Sequence, residues 1–333
     1  MAQADAPRRF AAIDCGTNSI RLLISERAAD GTLTELNRDN IIVRLGQGVD
    51  ATGGFAPEAL QRVDDALATY AQRMVDHNVE DVMMGATSAT RDAKNRDEFF
   101  AITARHLGRI VDGRQAEVIS GEQEAELSFA GAVADLPSGT PERICVIDLG
   151  GGSTEFVVHD VDADGAVADT GTVEAYSANM GCVRLTERYL HSNPPTAEEI
   201  AAAEDFVATQ LREVEEHVDL TGVTRLVGVA GTMTTLSAIT QGLDSYQPEK
   251  IHLSRLPLRT FRDTAIDLRD KTVDQRLECG PMHPGRADVV GGGAVVIDAV
   301  ASRFLALGVE EITISEKDIL DGMLAKVMRR NGA

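Results

Sequence analysis

The sequence predicts an α/β protein made of two duplicated halves, and three observations carry that expectation. Residues 10–24 (FAAIDCGTNSIRLLI) and 144–158 (ICVIDLGGGSTEFVV) are two versions of one segment. Strand-like and helix-like stretches alternate through the rest of each half. Between the halves, DLPSGTPE at 135–142 has the Pro, Gly and Ser content of a linker.

Each copy of the repeat is an apolar run, an Asp-x-Gly turn and a second apolar run, the pattern of two short buried strands joined tightly. Setting Asp14 against Asp148 places Gly16 over Gly150, Ser19 over Ser153 and Arg21 over Glu155. In the first half, residues 41–45 read as a further strand. Residues 57–78 carry Leu60, Val63, Leu67, Tyr70 and Met74 at helical spacing, with Pro57 at the start. A strand at 82–86, a helix at 96–107, a strand at 116–119 and a helix opening at Ser120 follow. In the second half, a long helix over 196–218 opens with the capping-box pair Thr196 and Glu199. A strand at 225–229, helices at 260–269 and 288–307, a strand at 311–314 and an amphipathic helix at 317–330 complete the chain.

The 333 residues carry 53 acidic against 32 basic side chains, a formal net charge of −21. That excess opposes long-range attraction to nucleic acid or an anionic membrane. With no Trp, four Tyr and nine Phe, there is also little to stack single-stranded bases. Cys15, Cys145, Cys182 and Cys279 lie far apart with no CxxC pair, so neither a zinc site nor a disulfide framework is indicated. The seven histidines form no HxxxH pair, and His159-Asp160 is the one His-Asp dipeptide. The apolar start is broken by Asp14, Asn18 and Arg21, which rules out a signal-peptide core. Residues 226–243 are free of charge but rich in Gly, Thr, Ser and Gln, and read as a buried turn and helix. The expected location is the cytoplasm.

The turns carry the chemistry. Gly16, Thr17, Asn18 and Ser19 in one hairpin, and Gly150, Gly151, Gly152 and Ser153 in the other, present backbone N–H groups in a concavity suited to an anion. Asp14 and Asp148 beside them would repel phosphate unless a divalent cation stood between. Gly231 and Thr232, between a strand and a helix, form either a third phosphate cradle or a plain capped turn. Ser120-Gly121-Glu122-Gln123-Glu124-Ala125-Glu126 places acids in the first turn of a helix, where Glu122 and Glu126 share a face and Glu124 points elsewhere. Cys15 has no sequence neighbour to activate it and is expected to be a small buried thiol.

Seven segments, in this order, bring a resemblance: IDCGTNSIRLLI (13–24), ATSATRDAKN (86–95), ISGEQEAELSFAG (119–131), VIDLGGGSTE (146–155), MGCVRLTE (180–187), VAGTMTT (229–235) and GRADVVGGGAVV (285–296). The chain resembles the exopolyphosphatase/guanosine pentaphosphate phosphatase (Ppx/GppA) family, within the actin, sugar-kinase and Hsp70 superfamily. The resemblance implies two ribonuclease-H-like lobes, 1–137 and 138–333, with a cleft between them; whether helix 317–330 returns to the first lobe stays open. It further implies Mg²⁺ (or Mn²⁺), a homodimer, and removal of terminal phosphate from inorganic polyphosphate or from pppGpp. The chain matches the short form without an appended HD-type domain.

By that resemblance Glu124 is the catalytic glutamate, although Gln123 stands where relatives often carry a second Glu. Asp148 and Glu155 match metal-associated carboxylates, with Asp14 a third. On its own, Glu155 either faces inward with a cation or faces solvent. Arg91 matches an arginine near the phosphates; an arginine fork suits phosphate, and equally suits a rim pair with Asp92. Arg21 fills the slot that Glu155 fills in the other half, and Arg286 beside Asp288 is a candidate for the cleft wall. An exopolyphosphatase acting on shorter chains is the leading expectation, since no aromatic cluster suggests a guanine pocket. A pppGpp 5′-phosphohydrolase comes second, ahead of an actin-like kinase or ATPase and a non-catalytic binder.

Overall fold

The structure is a computed structural model that describes residues 6–137, 139–163 and 173–333; residue 138 of the expected linker lies outside them. In chain order the elements are β1 (Arg8–Cys15), β2 (Ser19–Arg27), β3 (Leu33–Ile42), α1 (Val49–Thr52), α2 (Pro57–Asp76), β4 (Asp81–Ala86), α3 (Ser88–Asp92), α4 (Arg96–Leu107) and β5 (Glu117–Val118). Next come α5 (Gly121–Val133), β6 (Glu142–Leu149), β7 (Thr154–Val161), β8 (Glu174–Ala178), α6 (Cys182–Tyr189) and α7 (Ala197–His217). The chain continues with β9 (Arg225–Val229), α8 (Ala230–Thr240), α9 (Pro248–Ile251), β10 (Ser254–Pro257), α10 (Leu258–Asp270), α11 (Val273–Leu277), α12 (Val290–Ala306), β11 (Glu311–Ile314) and α13 (Ile319–Arg330). Contacts divide it into one unit of residues 1–120 with 319–333, and a second of 121–318.

The first unit holds a five-stranded sheet in the order β3-β2-β1-β4-β5. The first repeat is its antiparallel β1–β2 pair, with Asp14 directly opposite Arg21, and β4 lies parallel to β1. The apolar stripe of α2 is buried, and Tyr70 donates its hydroxyl hydrogen to Ile20 O at 2.9 Å. Helix α13 packs on β1, β2 and β4. Arg330 Nε donates to Asp81 Oδ2 at 2.8 Å, and Asp321 of the same helix accepts from Arg38 at 2.7 Å.

The second unit holds a six-stranded sheet in the order β10-β11-β9-β6-β7-β8. The second repeat is the antiparallel β6–β7 pair, with Asp148 directly opposite Glu155. Thr196 and Glu199 form the expected capping box on α7. The apolar face of α5, with Ala125, Phe129 and Ala132, is buried with Val146, Val157 and Val227 of this sheet.

That packing moves the boundary. The lobes expected at 137/138 part instead at Ser120/Gly121, because α5 buries its apolar face on β6–β9; the 135–142 stretch connects a helix to a strand inside one unit. The strand expected at 41–45 is also displaced. The observed β3 is an earlier, polar strand at the sheet edge, while Val43 and Leu45 lie beyond it, buried in a loop. Residues 226–243 form β9 and α8 as read, and among the described residues no helix is long and apolar enough to cross a membrane.

Candidate active site

In the second unit, strand register sets the chemistry. Asp148 ends β6, and Glu155 faces it from β7 on the same side of the sheet. Helix α5 adds Glu124 and, one turn later, Ser128, both on its buried side. Ser128 donates its hydroxyl to Asp148 Oδ2, and Ser177 of β8 donates to Glu155 Oε1 at 2.7 Å. The start of α5 sits on that same serine: a Cβ on Gly121 would lie 2.4 Å from Ser177 Cβ. A ring of contacts therefore runs from α5 through β8, β7 and β6 back to α5. Glu155 is 1% exposed, Asp148 6% and Glu124 8%. Glu122 and Glu126 are exposed, so their burial separates the three acids of this turn.

Two facing buried carboxylates disfavour joint ionisation unless a cation or proton intervenes. Their hard oxygens suit Mg²⁺, which is commonly held by one or two carboxylates together with waters and phosphate oxygens. Asp148 and Glu155 fit that need; among the described residues no group of three or more His, Cys, Asp or Glu is placed to hold a metal. Asp14 belongs to the first unit, where Arg21 Nε and Nη2 donate to its Oδ2 at 3.0 and 2.7 Å. There the arginine supplies the positive charge.

Both turns close alike: Gly16 N–H donates to Ser19 O at 2.9 Å, and Gly150 N–H to Ser153 O at 3.0 Å. The triple-glycine turn is approached closely from behind, since a Cβ on Gly181 would lie 2.3 Å from the Gly151 backbone. The third turn, Gly231 and Thr232, is part of the same unit. Gly293 of α12 leaves space there, with Thr232 Cγ2 and Cys182 Cβ 2.6 and 3.2 Å from where its Cβ would stand. Ala230 takes a left-handed φ of 71° just before Gly231. Arg286 Nη1 donates to Gly231 O at 3.3 Å and Thr235 Oγ1 at 3.2 Å, its guanidinium filling the space a side chain at 231 would need. In the first unit Arg91 Nη1 donates to Ile119 O at 3.1 Å. Cys15 is buried, and burial followed by the Asp14 charge pushes its thiol pKa up, away from nucleophilic chemistry.

Arg276 escaped the sequence reading. It is 3% exposed and donates to the carbonyls of Leu268, Arg269 and Ala287 at 2.7, 3.0 and 3.1 Å, so it fixes the loop that carries Arg286. A single arginine in a short polar helix has no pattern that separates it from a solvated one.

The family model described as the Ppx/GppA phosphatase family matches residues 23–331. The chain is 50% identical over 320 residues, 95% of its length and 97% of the relative's, to exopolyphosphatase 2 of Mycobacterium tuberculosis. It is 31% identical to the guanosine-5′-triphosphate,3′-diphosphate pyrophosphatase of Photobacterium profundum, over 96% of this chain and 59% of that one. A crystal structure of an exopolyphosphatase-like protein matches with a TM-score of 0.89 at 38% identity, covering 98% of this chain and 99% of that chain. Each unit is an α/β fold built on a mixed sheet, and the chain shares its fold with a nucleoside triphosphate hydrolase of Neospora caninum at a TM-score of 0.50 and 12% identity, over 98% of this chain and 93% of that one. The chain belongs to the Ppx/GppA phosphatase family.

Proposed function

We propose that the protein is an exopolyphosphatase that hydrolyses the terminal phosphoanhydride bond of inorganic polyphosphate. The observation that carries the reading is the convergence of buried Glu124, Asp148 and Glu155 beside the triple-glycine turn. The 50% identity to an exopolyphosphatase supports the substrate. Asp148 and Glu155 are assigned to Mg²⁺, with Mn²⁺ a substitute. Bound there, the ion would neutralise phosphate oxygens and ease departure of the leaving phosphate.

The chain's own groups do the rest. N–H groups of Gly151, Gly152 and Ser153 hold phosphate oxygens. Glu124 orients a water whose oxygen bonds to the terminal phosphorus as the bridging P–O bond breaks. The shortened polyphosphate departs as the anion, and the proton lost by the water passes to the Glu124 carboxylate. Gly231 and Thr232 of the second unit are assigned to phosphate, as are, in the first unit, the Gly16–Ser19 turn, Arg21 and Arg91.

The test is phosphate release from polyphosphates of defined length and from pppGpp, with and without Mg²⁺. Glu124→Gln is expected to lower turnover by about 10²–10⁴-fold, the range of a general base; near-wild-type turnover would remove Glu124 from that role. The second reading, a pppGpp 5′-phosphohydrolase, draws on the likeness to the Photobacterium enzyme. Turnover of pppGpp alone would put it first.

A further inference from the structure

The triple-glycine turn of the second unit is gripped from one side. Cys182 N–H donates to Gly150 O at 3.0 Å, while the N–H groups of Val183 and Arg184 donate to Gly151 O at 2.9 and 3.1 Å. The Arg184 side chain takes the next carbonyl, with Nε donating to Gly152 O at 2.7 Å. Three successive carbonyls are thus drawn towards α6. In a planar trans peptide the C=O and the following N–H point in opposite directions. The N–H groups of Gly151, Gly152 and Ser153 are therefore directed away from α6. Among the described residues, the N–H groups of Gly151 and Gly152 have no hydrogen-bond acceptor. Successive N–H groups turned to one side make an anion-binding concavity. The first N–H groups of α6, which could themselves have bound an anion, are taken up by protein carbonyls.

The first unit repeats the device with different parts. Gly46 N–H donates to Thr17 O at 2.8 Å, and Val43 and Arg44 N–H both donate to Asn18 O at 3.0 and 2.8 Å. Arg44 adopts a left-handed φ of 48° at this point. From α2, Arg62 Nε and Nη2 hold Val43 O and Arg44 O at 2.6 and 3.3 Å. Thr17 aligns with Gly151 and Asn18 with Gly152, so equivalent carbonyls are pinned in both halves, with an arginine behind each.

We propose that Arg184 is a positioning residue for phosphate. Without touching substrate, its guanidinium fixes the Gly152–Ser153 peptide so that the Ser153 N–H joins those of Gly151 and Gly152 in facing the anion. This rests on the phosphatase reading above. The experiment compares wild type, Arg184→Met, Arg184→Lys and Arg188→Met in the full chain. Arg188 lies one turn further along α6, its guanidinium 5.6 Å from the centre of the Phe206 ring, and controls for loss of an arginine from this helix. Arg184→Met is expected to lower kcat/KM for polyphosphate about tenfold, as loss of a charge-assisted hydrogen bond does, and Arg184→Lys to recover part of it. Arg188→Met is expected to keep the wild-type value, with the unfolding temperatures of the two Met variants alike. Amide ¹H–¹⁵N spectra taken with added inorganic phosphate supply a readout independent of turnover. The Ser153 signal should shift in wild type and Arg188→Met and lose that response in Arg184→Met. An Arg184→Met enzyme within about twofold of wild type, or an equal loss in Arg188→Met, overturns the proposal. If wild type releases no phosphate from polyphosphate yet the Ser153 response still depends on Arg184, the functional reading fails and the positioning role stands.

Discussion

Asp14 and Asp148 hold equivalent places in the two hairpins and meet opposite charges across the ladder. Arg21 answers Asp14 with two hydrogen bonds, whereas Glu155 sets a second carboxylate beside Asp148. One hairpin pairs acid with base across the ladder and the other pairs acid with acid, the arrangement behind the proposed metal role. Glu155→Gln should therefore unfold at a higher temperature than wild type in chelator. Under the proposed metal role, Mg²⁺ is expected to stabilise wild type by about 2.7 kcal/mol when free metal is a hundredfold above its Kd, and Glu155→Gln should lose that gain. Calorimetric unfolding with and without Mg²⁺ checks both signs, and an unchanged Mg²⁺ response removes Glu155 from the metal site. Backbone space is equally specific at this scale. Gly181→Ala would drive a methyl into the Gly151 peptide, so a loss of about 1–3 kcal/mol is expected, together with lost phosphate affinity; chemical denaturation and phosphate titration measure the two.

Beside the apolar packing of α13, Asp81 at the start of β4 accepts from Arg330 of that helix, from Asn331 just beyond it and from Arg114, at 2.8, 2.8 and 2.7 Å. Burial pushes the Asp81 pKa up, but the hydrogen bonds from Arg330 and Asn331 and the Arg330 charge outweigh it, leaving the value below 3.8. A carboxyl with a depressed folded pKa contributes stability that is complete above its unfolded pKa and is lost as pH falls through the folded value. Asp81→Asn should cost about 3 kcal/mol near neutral pH, and the gap to wild type should close below pH 3.8; urea unfolding across pH tests this. Elements of this kind also show what the chain makes legible. The two hairpins, α2, α4 and α7 were readable because apolar periodicity or a cap marks each of them. β3 was not, since LTELNRDN alternates nothing apolar and the strand pairs in the sheet only with β2, at its edge. The helix of α5 was visible, but its partners were not: periodicity gives a buried face without saying which sheet covers it. At the site the same limit applies, with Glu124 and the turns readable and Arg184 and Arg276 hidden, because their roles lie in carbonyls brought near only by folding.

For the whole molecule, a net charge of −21 stands against the polyanion that the turns are proposed to hold. Distant repulsion grows with the length of a polyanion, while local contacts act on the few phosphates that touch the turns. We therefore expect short polyphosphates to be turned over better than chains of hundreds of units at low salt. The difference should narrow as ionic strength approaches about 0.15 M, where the Debye length is about 8 Å. Equal or better turnover of the long chains at low salt defeats this. The return of α13 to β1, β2 and β4 has a consequence for biosynthesis. A ribosome makes the first strands of that sheet, then all of 121–318, before it delivers the helix that covers them. Until then an apolar sheet face awaits its last segment, a window in which nascent chains are open to aggregation or chaperone capture. Closure of the first unit's core thus waits on synthesis of the whole second unit.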